Sequence, residues 1–253
     1  MTGERLRQVG REIKAAAAVV ILVAASVVSA AASLAGLTTS VSVAATVAAV
    51  LSGYQVIWCQ LIPPLRAKSA ENSVQPVAAG GDGPWKAGTA FQIGPGRWIT
   101  AARIVADAAE VVVRIQADHV PAQVIYQDGN VAVLSTSAAW PWTARTSLST
   151  PDSGTQVKII GCAVRGEDPY RGYAVSRYDP LRIRVSLYQT VLGTSETDFF
   201  VDGDVQPGLS GAPVLDVQSG KVIGVVHANS SVGDEPLLIT VVRPISSIPT
   251  EYL

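Results

Sequence analysis

Side chains that do covalent or metal chemistry are scarce in this sequence. Two histidines, two cysteines and one methionine are spread over 253 residues. The cysteines, Cys59 and Cys162, stand in runs of different character, so no disulfide framework marks an oxidising compartment. No CxxC or HExxH spacing occurs, and His119 and His227 alone leave almost no basis for a metal site, so no cofactor is expected. Net charge is nearly missing too: −1 overall gives no field for nucleic acid. What charge there is lies unevenly. Residues 1–66 hold five basic and two acidic side chains, which leaves −4 for the remaining 187 residues. A mildly acidic domain does not suit a phosphate backbone.

Apolar runs are present early. Residues 15–37 (AAAAVVILVAASVVSAAASLAGL) and 41–62 (VSVAATVAAVLSGYQVIWCQLI) carry no charge over 23 and 22 positions. A membrane-spanning helix needs about 20 apolar residues, so each run fits one span. The expectation is a basic flank over 1–14, a helical hairpin over 15–65 turning near Gly36–Ser40, and a membrane attachment through residues 15–62. Its many Ala, Ser and Gly positions suit close helix packing, on each other or within a membrane complex. A second reading makes the first run a signal peptide cut near Ser29–Ala31. Arg5, Arg7, Arg11 and Lys14 precede the first span, and Arg66 and Lys68 follow the second. By the positive-inside rule both flanks, and the later domain, face the cytoplasm; with only one span the domain lies outside. Residues 66–84, RAKSAENSVQPVAAGGDGP, lack apolar period and read as a flexible linker.

From residue 85 the pattern changes to short runs of Val, Ile, Thr and aromatics between Gly, Pro and Asp turns. TAFQI (89–93), EVVVRIQA (110–117), AQVIYQ (122–127), VAVLST (131–136), TQVKIIGCAV (155–164), LRIRVSLYQTV (181–191), APVLDV (212–217), KVIGVVHA (221–228) and LLITVVRPI (237–245) read as strands, and ARIVADAA (102–109) as a brief helix. This spacing predicts an all-β domain over 85–253, a sandwich or barrel. TARTSLSTPDSG (143–154), poor in large apolar residues, divides the strands into two groups, as two small antiparallel barrels joined by a connector require.

Three segments carry chemistry when taken together: GTAFQIGPGRWITAARIV (88–105), DGNVAVL (128–134) and QPGLSGAPVLDVQSGKVIGVVHANSS (206–231). In order and type they resemble the three catalytic motifs of the trypsin-like (chymotrypsin-fold) serine proteases, in which base, acid and nucleophile follow in that order. The resemblance covers most of residues 85–250 and implies two six-stranded barrels. It puts Ser210 at the nucleophile, and Gly208 with Ser210 at the oxyanion hole. Arg103 falls on the histidine position and Asn130 on the aspartate position. Leu209 and Ala212 stand where the family commonly has Asp or Asn and Gly. On the strand that lines the family's specificity pocket lie His227 and Asn229, polar residues suited to an acidic or amide side chain.

A serine hydroxyl is a poor nucleophile until a base takes its proton. Arginine stays charged and has no acceptor atom, so it cannot be that base. Asp128 is the acid if the register slips by two, and Asp107 is placed to pair with Arg103 four residues earlier. The resemblance therefore implies a pseudoprotease: an inactive homologue acting as a binding or scaffolding module for a protein partner or peptide. The alternatives are a structural subunit of a membrane complex that uses the β-domain only for contacts, and a serine hydrolase with an unidentified base, cutting after Glu or Gln.

Overall fold

The computed structural model describes residue 47 and residues 62–81, 85–116, 118–163, 183–203, 206–232 and 235–253. The chain divides into two units, Met1–Pro64 and Leu65–Leu253. The basic flank and the apolar runs expected to form a hairpin lie outside the described residues, apart from single positions. Among the described residues no helix is long and apolar enough to cross a membrane.

Helix α1 (Ile62–Ser73) and strand β1 (Val74–Gly80) come first in the described part of the domain. This corrects the expectation of a flexible linker over 66–84. Pro63 and Pro64 fall in the first turn of α1, where a missing N–H breaks no helical bond. Most of α1 is polar, yet Ala70 and Ser73 are fully buried. Tertiary contacts hold it in place: Ser69 Oγ donates to Thr143 O at 2.8 Å, Trp140 Nε1 to Asn72 O at 2.7 Å, and Lys158 Nζ pairs with Glu71 at 2.5 Å. A helix stabilised by packing rather than by an apolar stripe leaves no period to read.

Eleven further strands follow: β2 (Lys86–Gly94), β3 (Arg97–Ala101), β4 (Glu110–Ile115), β5 (Asp118–Gln127), β6 (Val131–Thr136), β7 (Gln156–Ala163), β8 (Ile183–Thr194), β9 (Phe199–Asp202), β10 (Pro213–Asp216), β11 (Val222–Val232) and β12 (Glu235–Pro244). They close into two antiparallel barrels, in the orders β1-β2-β3-β6-β5-β4 and β10-β11-β12-β9-β8-β7. The all-β class and the two six-stranded barrels agree with the sequence. β1 was hidden in the expected linker, and the four-residue β9 was not anticipated as a strand of its own. The brief helix shrinks to α2 (Ala102–Val105), because Asp107 turns the chain at φ 60°.

Strand alternation explains the continuous apolar runs. In β6, Ala132 and Leu134 point into the first barrel with Val77, Ala90, Trp98 and Val113. Val131 and Val133 point the other way, into a shared cluster with Phe91, Ile99, Ile160, Leu215, Val225 and Ile245 from both barrels. β11 does the same in the second barrel, where Val226 joins Phe199 and Leu209 inside while Val225 faces the shared cluster. Strands buried on both faces lose their polar alternation. The site lies between the end of β3 and the start of β10.

Candidate active site

Ser210 sits on the turn between β9 and β10 and is 5% exposed. The turn starts with Leu209 N–H donating to Gln206 O at 3.1 Å, around Pro207 and a Gly208 at φ +94°. Proline second and a positive-φ glycine third is type II geometry. Gly211 has φ +85°, and a Cβ there would stand 2.1 Å from Thr89 O. Only glycine lets the turn press this closely on β2.

The first barrel grips the turn through one residue. Thr89 N–H donates to Ser210 O at 2.8 Å, and Thr89 Oγ1 donates to Gly208 O at 2.7 Å while accepting from Cys162 N–H at 2.9 Å. Thr100 Oγ1 in turn donates to Thr89 O at 2.7 Å. Gly211 N–H donates to Val226 O at 2.7 Å and Ala212 N–H to Leu209 O at 2.9 Å. No described backbone carbonyl accepts from the N–H of Gly208 or Ser210. These are the two donors that the sequence resemblance assigns to an oxyanion hole, and the carbonyls of Gly208, Leu209 and Ser210 on the same turn already accept hydrogen bonds.

Arg103, on α2 directly after β3, reaches the serine: its Nη2 donates to Ser210 Oγ. The sequence expectation of an ion pair with Asp107 is not met. Among the described residues no carboxylate lies within salt-bridge distance of Arg103. Burial of the guanidinium end lowers its pKa from the ordinary arginine value, and no neighbouring anion opposes that shift. Arg103 as a residue is nonetheless exposed. A cation favours an alkoxide, but it supplies no atom to take the serine's proton.

Asn130 enters through its backbone. Pairing of β3 with β6 sets Ala101 opposite Val131, and Ala102 N–H donates to Asn130 O at 2.9 Å. Asp128 Oδ1 accepts from the N–H of Asn130 at 2.6 Å and of Val131 at 2.7 Å, an Asx turn that starts β6. Asp128 therefore braces this loop rather than replacing a catalytic acid.

His227 lies on β11 where the β11–β12 register shifts between Val226 and Ala228, a bulge that re-aims a side chain. Its Nε2 is 3.2 Å from Asp198 Oδ1. A carboxylate only accepts, so Nε2 carries the proton and Nδ1 is the basic nitrogen. Arg243 stands beside the same carboxylate, with Nη1 3.8 Å from Asp198 Oδ1 and Nη2 3.7 Å from Asp128 Oδ2. Burial lowers the His227 pKa first of all. Asp198 opposes the shift, and the charges of Arg243 and Arg103 add to it. Asn229 pairs with Thr240 in the β11–β12 ladder. His119, the other histidine, lies in β5 opposite Arg114, in the first barrel.

The sequence reading singled out Arg103, Ser210, Gly208, Asn130 and His227, and the fold gathers them at one end of the inter-barrel seam. It missed Thr89, Asp198 and Arg243. Thr89 was legible only as part of the GTAF strand. Asp198 and Arg243 belong to no motif and meet His227 across 29 and 16 positions of sequence.

Residues 88–225, more than half of the chain, match the trypsin-like peptidase domain. The chain belongs to the trypsin-like peptidase family. Among solved structures this trypsin-like domain is similar to the active form of the Rv3671c protease from M. tuberculosis, with TM-score 0.59 and 20% identity over 73% of this chain and 81% of that one. It is also similar to the HtrA-type protease AlgW with a tripeptide (TM-score 0.57, 18% identity, 73% of this chain) and to the serine endoprotease from Yersinia pestis (0.55, 19%, 73%). The chain spans 60% and 63% of the length of those two. At such identities the likeness concerns the fold. No curated protein matches the chain.

Proposed function

We propose that this trypsin-like domain is a membrane-anchored pseudoprotease that binds an extended segment of a protein partner instead of cutting it. One observation carries the reading: the guanidinium of Arg103 occupies the place from which a base would take the Ser210 proton, and it donates to that hydroxyl. Losing the base of a serine triad lowers turnover by roughly a millionfold. In this reading a partner's extended segment lies along the inter-barrel seam beside Ser210. The two uncharged runs over 15–37 and 41–62 support an anchor with the domain on the cytoplasmic side.

The test is fluorophosphonate treatment of the full chain in detergent, read by mass spectrometry at Ser210 with Ser210→Ala as control. No adduct is expected in a folded sample; an adduct on Ser210 would overturn the reading.

A second reading has one observation in its favour. His227 is oriented by Asp198 as a base is oriented by its acid, which makes Nδ1 its basic nitrogen. A hydrolase on that basis requires Arg103 to swing away from Ser210, and it predicts an adduct that disappears in His227→Ala.

A further inference from the structure

A guanidinium offers five N–H donors, and the only acceptor Arg103 has among the described residues is one neutral hydroxyl. Arg103 has no carboxylate within salt-bridge distance among the described residues, and the partial desolvation of its guanidinium is favourable only with such a partner. The resemblance puts the N–H groups of Gly208 and Ser210 at the oxyanion position beside that hydroxyl, and they donate to no described backbone carbonyl. With that placement, three sources of positive potential face the space in front of Ser210 Oγ. In a working protease that space holds a main-chain carbonyl oxygen as it gains negative charge. Here the added guanidinium suits a main-chain group that is negative permanently.

We propose that Arg103 together with the Gly208 and Ser210 N–H groups forms a binding site for the free C-terminal carboxylate of a peptide chain. One carboxylate oxygen takes the two backbone N–H donors, and the other takes the guanidinium, which turns from the hydroxyl toward the stronger acceptor. Charge-assisted bonds of this kind are about twice as strong as neutral ones. A side-chain carboxylate fits less well, because the N–H pair addresses the main-chain position of a bound strand. The site rests on the peptide-binding reading above and narrows it to chains that end at the serine.

The experiment uses the full chain in detergent and dye-labelled hexapeptides of mixed sequence, made with either a free carboxylate or a carboxamide end, with fluorescence anisotropy as readout. The carboxylate set is expected to bind at least about tenfold more tightly, the worth of one charge-assisted hydrogen bond. That preference should vanish in Arg103→Ala and in Arg103→Gln, which keeps donors but no charge. Equal binding of the two sets overturns the site and leaves a peptide groove standing. Preference surviving in both Arg103 variants, or no binding of either set, also overturns it, as does displacement of the peptides by inorganic phosphate but not by acetate. A fluorophosphonate adduct alongside a carboxylate preference would sink the pseudoprotease reading while leaving this site intact.

Discussion

On the proposed reading, Arg103 and Asn130 are what separates this site from a working triad, while the turn that carries Ser210 is held by Thr89, Gly208 and Gly211. Arg103→His with Asn130→Asp is therefore expected to gain fluorophosphonate labelling at Ser210, while Arg103→His alone labels far more slowly, by up to about four orders of magnitude, for want of the acid that selects the tautomer. Labelling no faster than wild type in the folded double variant would show that more than the base and acid has been lost. His227 makes a separate prediction through pH. Its folded pKa lies below its unfolded value of 6.5, chiefly because burial disfavours the charged ring, with Arg243 and Arg103 adding to the shift and Asp198 opposing it. A depressed histidine binds its proton more readily when unfolded. Its contribution is thus present above pH 6.5 and is lost as pH falls through 6.5 toward the folded pKa. Urea unfolding between pH 7 and 5 should show stability falling by up to about 1.4 kcal/mol per pH unit, and His227→Gln should flatten that slope. An unchanged slope in the variant would assign the effect elsewhere.

At the scale of elements, the boundary of the domain is what the structure moves. Strands with β-branched residues at alternating or continuous apolar positions were legible, as were the connector and the turn around Ser210. α1 and β1 were not, since RAKSAENSVQPVAAGG has the composition of a linker and its order comes from contacts to residues 140–158. β1 bonds to both β2 and β4 and closes the first barrel. A fragment over 65–253 is expected to unfold cooperatively as a β-rich monomer. A fragment over 85–253 leaves β2 and β4 as open edges and removes Val74, Val77 and Ala79 from the core, so it should aggregate or unfold at lower urea. Circular dichroism and size-exclusion chromatography of the two fragments check this, and equal stability would mean that β1 is dispensable.

Across the whole molecule, the two barrels meet at Thr89, which bonds to the serine turn and to β7 at once. Thr89→Val keeps the shape but removes the donor to Gly208 O and the acceptor for Cys162 N–H, both buried. The expected loss is roughly 2–4 kcal/mol, read as a lower urea midpoint at unchanged slope. A loss below about 0.5 kcal/mol would mean the turn is held by packing alone. What the sequence determined by itself was the pair of barrels, the order of the three motifs along the chain, and the absence of a base at position 103. Each of these is written in neighbouring residues, as alternation, turn chemistry or a short motif. The contact of Arg103 with Ser210, the His227–Asp198–Arg243–Asp128 chain and the Thr89 joint were decided only by tertiary structure. Their partners lie 29 to 121 positions apart in sequence, where no periodicity links them and only closure of the two barrels brings them within hydrogen-bonding and ion-pair reach.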